Sequence, residues 1–142
     1  FVLTHKLDMR KMVFFMAKYR KKLEADIRCP LEYGLSVFGG KWKSRIICVL
    51  SADKKLRYSE IRKEMYNITD AVLAATLKDL IADGIVDRKS YDEIPPRVEY
   101  SLTGKGNSVV PILQSICRWS DIFYKEDVEN EMKQCQKCDY HR

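Results

Sequence analysis

Residues 85–102, Ile-Val-Asp-Arg-Lys-Ser-Tyr-Asp-Glu-Ile-Pro-Pro-Arg-Val-Glu-Tyr-Ser-Leu, constrain the fold more than any other stretch of this chain. The first arm alternates apolar and polar residues at period two, and Val98, Tyr100 and Leu102 resume that alternation. Between the arms, Pro95 and Pro96 lack the N–H that a strand ladder needs, so Asp92-Glu93-Ile94-Pro95-Pro96 is a tip. The arms follow directly on a helix-like segment that ends Ala82-Asp83-Gly84. The pattern predicts a β-hairpin placed straight after a helix, with Arg97 beside its tip.

Length and composition limit what can surround such a hairpin. The 142 residues suffice for one domain with a real core and terminal arms, and 46% hydrophobic with 32% charged residues describes a soluble globular protein. No apolar run approaches the roughly 18 residues that a membrane span requires, so the expected location is the cytoplasm, with no membrane partner. The net charge of +6 is uneven: residues 1–28 carry eight Lys/Arg against three Asp/Glu, residues 29–105 thirteen against eleven, and residues 106–142 five against six. The basic bias is therefore mostly an N-terminal arm. Nucleic-acid binding by the central region has to rely on local clusters such as Lys41-Trp42-Lys43-Ser44-Arg45, Lys54-Lys55-Leu56-Arg57, Arg62-Lys63 and Arg88-Lys89. Each cluster taken alone also fits a solvated helix face.

The remaining elements are read from periodicity and caps. Leu7, Met12, Phe15, Met16, Tyr19 and Leu23 give residues 7–24 an imperfect amphipathic pattern. Pro30 suits the first position of a helix capped by Cys29, with Leu31, Leu35 and Phe38 on one face and Gly39-Gly40 ending it. A second helix runs from Lys41 to Ser51 with Trp42, Ile46, Val49 and Leu50 inward. Leu56-Arg57-Tyr58 reads as a short edge strand, and Ser59 as the N-cap of a helix from Glu60 to Met65. After a turn at Tyr66-Asn67-Ile68, Thr69 caps a helix over 70–82 whose stripe is Val72, Leu73, Leu77, Leu80 and Ile81. Past Thr103 a long helix is expected to about Met132, with Val109, Ile112, Leu113, Ile116, Trp119 and Phe123 on one side and a bend at Pro111. Two short helices joined by a tight turn, then a hairpin, make a helix-turn-helix with a wing: the helix over 70–82 is the recognition helix for a major groove. The expected class is mainly α with a small β-hairpin wing.

Several separate blocks carry a more specific likeness. Cys29-Pro30, Phe38-Gly39-Gly40-Lys41-Trp42, Leu56-Arg57-Tyr58-Ser59-Glu60-Ile61, Leu77-Lys78-Asp79-Leu80 with Asp83-Gly84-Ile85-Val86, and Pro95 through Gly106 together resemble the HxlR-type winged-helix transcriptional regulators, relatives of MarR. The resemblance covers about residues 29–123. It implies a homodimer on double-stranded DNA at a roughly palindromic operator, formed through the N-terminal helices and the long C-terminal helix. The domain plan that follows is a basic arm over 1–28, a winged helix-turn-helix over 29–105, a dimerisation helix over 106–134 and a tail over 135–142.

The DNA-binding candidates are Lys43, Arg57, Ser59, Thr69, Asp70, Ala71, Ala74, Ala75, Thr76, Lys78, Arg88 and Arg97. Arg97 follows a two-proline turn that fixes backbone direction, from which an arginine reaches phosphates or a minor groove. Lys43, Arg57 and Ser59 suit phosphate contacts. The exposed recognition face has Asp70, Ala71, Ala74, Ala75 and Thr76 with Lys78 as its single cation, where relatives present glutamine, lysine or serine. Alanine touches a thymine methyl, and threonine hydrogen-bonds a base, but bidentate Arg, Asn or Gln readout is missing from this helix. Specificity is then expected from DNA shape, the wing and dimer spacing.

Cys29, beside Arg28 at a helix start, is the redox candidate, since the positive end of the helix dipole favours a thiolate. Its alternative is a small buried residue under the dimer helix. An oxidant or small-molecule effector would act there. Cys48 and Cys117 lie in apolar helices and read as core. Cys135, Cys138 and His141 have C-x-x-C spacing but offer at most three zinc ligands, so a tail without a metal is expected. There is no glycine-rich phosphate loop, no core histidine and no acid pair in a cleft, so neither an enzyme nor a cofactor is expected. The competing function class is a winged helix used for protein-protein contact without specific DNA binding, which the neutral recognition face suits.

Overall fold

A computed structural model of the chain describes residues 26–124. The chain divides into two compact units at Ser36/Val37, and the core and hairpin belong to the second. The expected helix over 7–24 and the tail after Tyr124 lie outside the described residues.

Among the described residues, five helices and three strands follow in the order α1 (Pro30–Phe38), α2 (Lys43–Asp53), β1 (Lys55–Leu56), α3 (Tyr58–Met65), α4 (Asp70–Ala82), β2 (Val86–Tyr91), β3 (Arg97–Leu102) and α5 (Gly104–Asp121). Helix α1 starts at Pro30, whose missing N–H costs nothing in a first turn. It ends where Gly40 turns through φ +84°, a left-handed conformation that side chains disfavour. Of the expected inward face of α1, Leu31 and Leu35 are exposed, and the buried residue is Val37. Helix α2 begins two residues later than expected, with Trp42 as its half-buried cap position. Ile46, Ile47, Val49 and Leu50 of this helix form the centre of the core.

The strand expected at Leu56-Arg57-Tyr58 is only Lys55–Leu56, because Arg57 already caps α3 and Tyr58 is its first residue. Ser59 is therefore inside the helix and not its cap. The backbone N–H of Arg57 donates to the Glu60 carboxylate at 2.9 Å, which satisfies the turn that Ser59 was expected to serve. Thr69 does cap α4, its hydroxyl accepting from Val72 N–H at 3.3 Å.

The sheet order is β1-β3-β2, antiparallel throughout, with Leu56 opposite Tyr100 and Tyr91 opposite Arg97. The Ile94–Pro95 peptide in the tip is cis. The hairpin is where the sequence placed it, but its first arm does not alternate in burial: only Val86 of β2 is buried, while Asp87 to Ser90 are exposed. As an edge strand that packs on the helices only at its start, β2 is free to carry a run of polar residues. Helix α5 runs through Pro111 and stops at Asp121, short of Met132. Val109 and Leu113 anchor it on the core, whereas Ile112, Ile116, Trp119 and Phe123 are exposed. Cys48 is half-buried, and Cys117, expected in the core, is exposed.

Candidate nucleic-acid interface

Helix α4 buries Leu73, Thr76, Leu77 and Leu80, the i, i+3, i+4, i+7 stripe of a helix packed on one side. Its outward face, set by the same periodicity, carries Ala71, Ala75 and Lys78, with Asp70 and Ala74 on one flank. Thr76 is a correction to the expected recognition face. Its hydroxyl donates back to the Val72 carbonyl at 2.6 Å, which lets a polar residue take a core position, and half-exposes Val72 in exchange. Thr69 uses its hydroxyl as the cap.

Asp70 is held from the preceding helix. The Tyr58 hydroxyl donates to the Asp70 backbone carbonyl at 3.1 Å and lies 3.4 Å from its carboxylate. Arg62 Nε pairs with that carboxylate at 2.7 Å. Burial and the neighbouring Asp70 charge push the Tyr58 phenol above its ordinary range. Sequence reasoning counted Arg62 only within the Arg62-Lys63 cluster, gave Tyr58 no role at the site, and paired neither with Asp70. Their four-residue separation, which puts both on one face of α3, was the available signal.

Between α4 and the hairpin lies an open cleft of about 250 Å³, lined by Tyr58, Ala74, Leu77, Lys78, Arg88 and Tyr100 among others. It brings three sequence candidates together, Ala74 and Lys78 on the helix and Arg88 on β2. Arg57 and Ser59 are exposed at the start of α3. Lys43 opens α2, is half-buried and does not line the cleft. It adjoins Trp42, whose ring has Lys41 Nζ at 4.5 Å and Arg45 at 5.3 Å.

At the wing tip, Arg97 stacks on the Tyr91 ring at 4.0 Å, with Lys89 over the same ring at 5.0 Å. Arg97 also pairs with Glu93 at 3.2 Å, and its side chain is 30% exposed. Its Nε is buried with no hydrogen-bond partner. A hydrogen bond to Glu99, then desolvation, raises the Tyr91 phenol above its ordinary range. The tip is thus an ordered Arg-Tyr-Glu cluster in place of a freely extended arginine. Cys29 is exposed, and its carbonyl accepts from Tyr33 N–H at 3.3 Å, so it occupies the expected position just before α1.

A helix pair joined by a tight turn, an exposed second helix and a hairpin carrying cations beside it define a winged helix-turn-helix DNA-binding protein. The chain belongs to the HxlR family: the HxlR-like helix-turn-helix model matches residues 37–128. An HTH-type transcriptional regulator of Halalkalibacterium halodurans is 44% identical over 104 residues, 73% of this chain and 92% of the relative. Among solved structures, the redox regulator HypR in its oxidised form is 41% identical, with a TM-score of 0.63, over 70% of this chain and all of that one. The reduced transcriptional regulator YodB from B. subtilis is 35% identical, with a TM-score of 0.64, over 71% of this chain and all of that one. The protein is a DNA-binding transcriptional regulator. No described helix is long and apolar enough to cross a membrane.

Proposed function

We propose that the protein acts in the cytoplasm as a homodimer on a two-fold symmetric operator, with α4 in the major groove of each half-site and the wing toward the flanking minor groove. The observation that carries this reading is the shared cleft: Lys78 of α4 and Arg88 of β2 both line it, on the two elements that would straddle one sugar-phosphate strand. Arg57 and Ser59 suit phosphates at the start of α3, joined by Lys43 from α2. Ala71, Ala74 and Ala75 suit thymine methyls, with Thr69 and Asp70 at the leading end of the helix. Arg97 serves phosphates or the minor groove from the wing tip. Thr76 has no part in this, because it is buried.

The dimer is supported by the exposed apolar stripe Ile112, Ile116 and Trp119 of α5, with Phe123 beyond its end, its ring tilted by 53° against that of Trp119 at 5.4 Å. The proposed division of the chain keeps 29–105 for DNA and 106–134 for dimerisation, of which 125–134 lies outside the described residues. HypR is described as a redox regulator. In the present chain the thiol suited to such a role is Cys29, exposed at the start of α1. The test is a footprint on DNA flanking the chain's own gene, across a salt series, with and without oxidant. A two-fold protected site that weakens steeply with salt and shifts on oxidation is expected. Retention that ignores salt overturns the DNA contacts. A footprint identical for Cys29→Ser and the unaltered chain under oxidant overturns the role of Cys29.

A further inference from the structure

We propose that Arg62 contacts DNA directly, with its guanidinium held in place by Asp70, so that α3 supplies the paired donors that α4 lacks. The proposal rests on the reading that places α4 in the major groove. The outward face of α4 offers Ala71 and Ala75, whose side chains donate no hydrogen bond, and Lys78, an ammonium without a planar fork of donors. In a helix-turn-helix, base edges are met by the first residues of the recognition helix, and here the first residue is Asp70. A bare carboxylate there would repel the phosphates on either side. Asp70 is not bare: Arg62 Nε stands 2.7 Å from Oδ1, and the Tyr58 hydroxyl holds the Asp70 carbonyl from the same helix face.

A guanidinium has five N–H groups in a rigid fork. Asp70 Oδ1 meets the guanidinium at Nε, on one edge of that fork. Fixing the plane in advance lowers the ordering cost when a second partner arrives. The pair is open to solvent, with side chains 49% and 69% exposed, so it contributes little to holding the fold together. The chemistry that the remaining edge takes is two adjacent acceptors on DNA, either guanine O6 and N7 or two oxygens of one phosphate.

The test measures binding of the full chain to its footprinted operator and to a mixed-sequence duplex across a salt series, with melting curves confirming that each variant folds. Arg62→Ala is expected to weaken operator binding by about 5- to 150-fold, and Arg62→Lys to recover little of it, because lysine keeps the charge but not the fork. Asp70→Asn is expected to cost less than Arg62→Ala, and the double variant to bind no better than Arg62→Ala. A double variant that binds like the unaltered chain overturns the proposal, since Arg62 would then merely neutralise Asp70. Unchanged operator binding by Arg62→Ala also overturns it. The two acceptor sources separate cleanly. If 7-deazaguanine in the operator weakens the unaltered chain but not Arg62→Ala, the contact is guanine; if Arg62→Ala lowers the salt slope by about 0.9 on every sequence, it is phosphate. Salt-dependent binding of the unaltered chain to the mixed duplex checks the underlying reading separately.

Discussion

Gly106 of α5 lies so close to Ile85 that a Cβ at position 106 would collide with the Ile85 backbone carbonyl. The same carbonyl accepts from Thr103 N–H at 3.0 Å, while the Thr103 hydroxyl accepts from Gly106 N–H at 3.0 Å. Lys105 Nζ reaches the Asp83 carbonyl at 2.8 Å. Together these contacts tie the start of α5 to the point where the chain leaves α4 for the wing. Gly106→Ala is therefore expected to destabilise the fold by about 1–3 kcal/mol, as overpacking against fixed backbone does. Urea unfolding followed by circular dichroism checks it. An unchanged midpoint would show that α5 can shift away from Ile85 without loss.

The wing tip makes a second prediction. Glu93 competes with DNA phosphates for Arg97, because both offer paired oxygens to one guanidinium. Glu93→Gln should release Arg97 and tighten binding about 1.5- to 5-fold, the range for an exposed ion pair. Arg97→Ala should weaken all sequences alike and lower the salt slope by about one. Fluorescence anisotropy from 50 to about 200 mM salt measures both effects. Weaker binding by Glu93→Gln would mean that Glu93 organises Arg97 for DNA and does not withhold it.

The extent to which the sequence revealed this site follows from which signals are local. Caps and turns are local chemistry, so Thr69, Pro30 and the Pro95-Pro96 tip were legible, and the hairpin fell where the turn residues put it. Thr76 and Val72 were exchanged because a threonine that bonds back to its own helix satisfies its polar group internally, which a hydropathy pattern cannot register. The α3 boundary moved by two residues because Glu60 closes the turn onto the Arg57 backbone and needs no serine cap. The bonds from Tyr58 and Arg62 to Asp70 span twelve and eight residues across a turn, and such pairings emerge only once two helices have a set angle. Exposure of Ile112, Ile116 and Trp119 was hidden for the opposite reason: their periodicity is that of a buried face, and nothing among the described residues covers it.

Alkaline titration gives a third prediction. The Tyr58 and Tyr91 phenols are both raised above the ordinary tyrosine value of 10.0, Tyr58 mainly through burial and Tyr91 mainly through its hydrogen bond to Glu99. Because the folded values exceed the unfolded ones, the neutral phenols favour the folded state in full below pH 10 and lose that contribution as pH rises through the folded values. Tyrosinate absorbance should show a late-titrating fraction that Tyr58→Phe and Tyr91→Phe each reduce. Glu99→Gln should move Tyr91 back toward the ordinary range. A single tyrosinate transition, unaffected by all three substitutions, is the contrary result.

The stripe on α5 makes the last prediction. Ile112 and Ile116 are nearly half exposed, and Trp119 is 66% and Phe123 73% exposed. The Trp119 and Phe123 rings pack on each other at 5.4 Å instead of on the core. Large apolar side chains spaced i, i+4, i+7 on a helix whose adjoining face is anchored by Val109 and Leu113 fit a second copy meeting the first across a two-fold axis. Ile116→Glu puts a charge in the middle of that stripe twice over, once from each subunit, and the cost of burying both should exceed what an apolar seam returns. The unaltered chain should sediment as a dimer at low micromolar concentration, and Ile116→Glu as a folded monomer with unchanged melting of its winged-helix core. Operator affinity of the variant should fall toward that of a single half-site. If Ile116→Glu sediments as the unaltered chain does, the interface lies elsewhere.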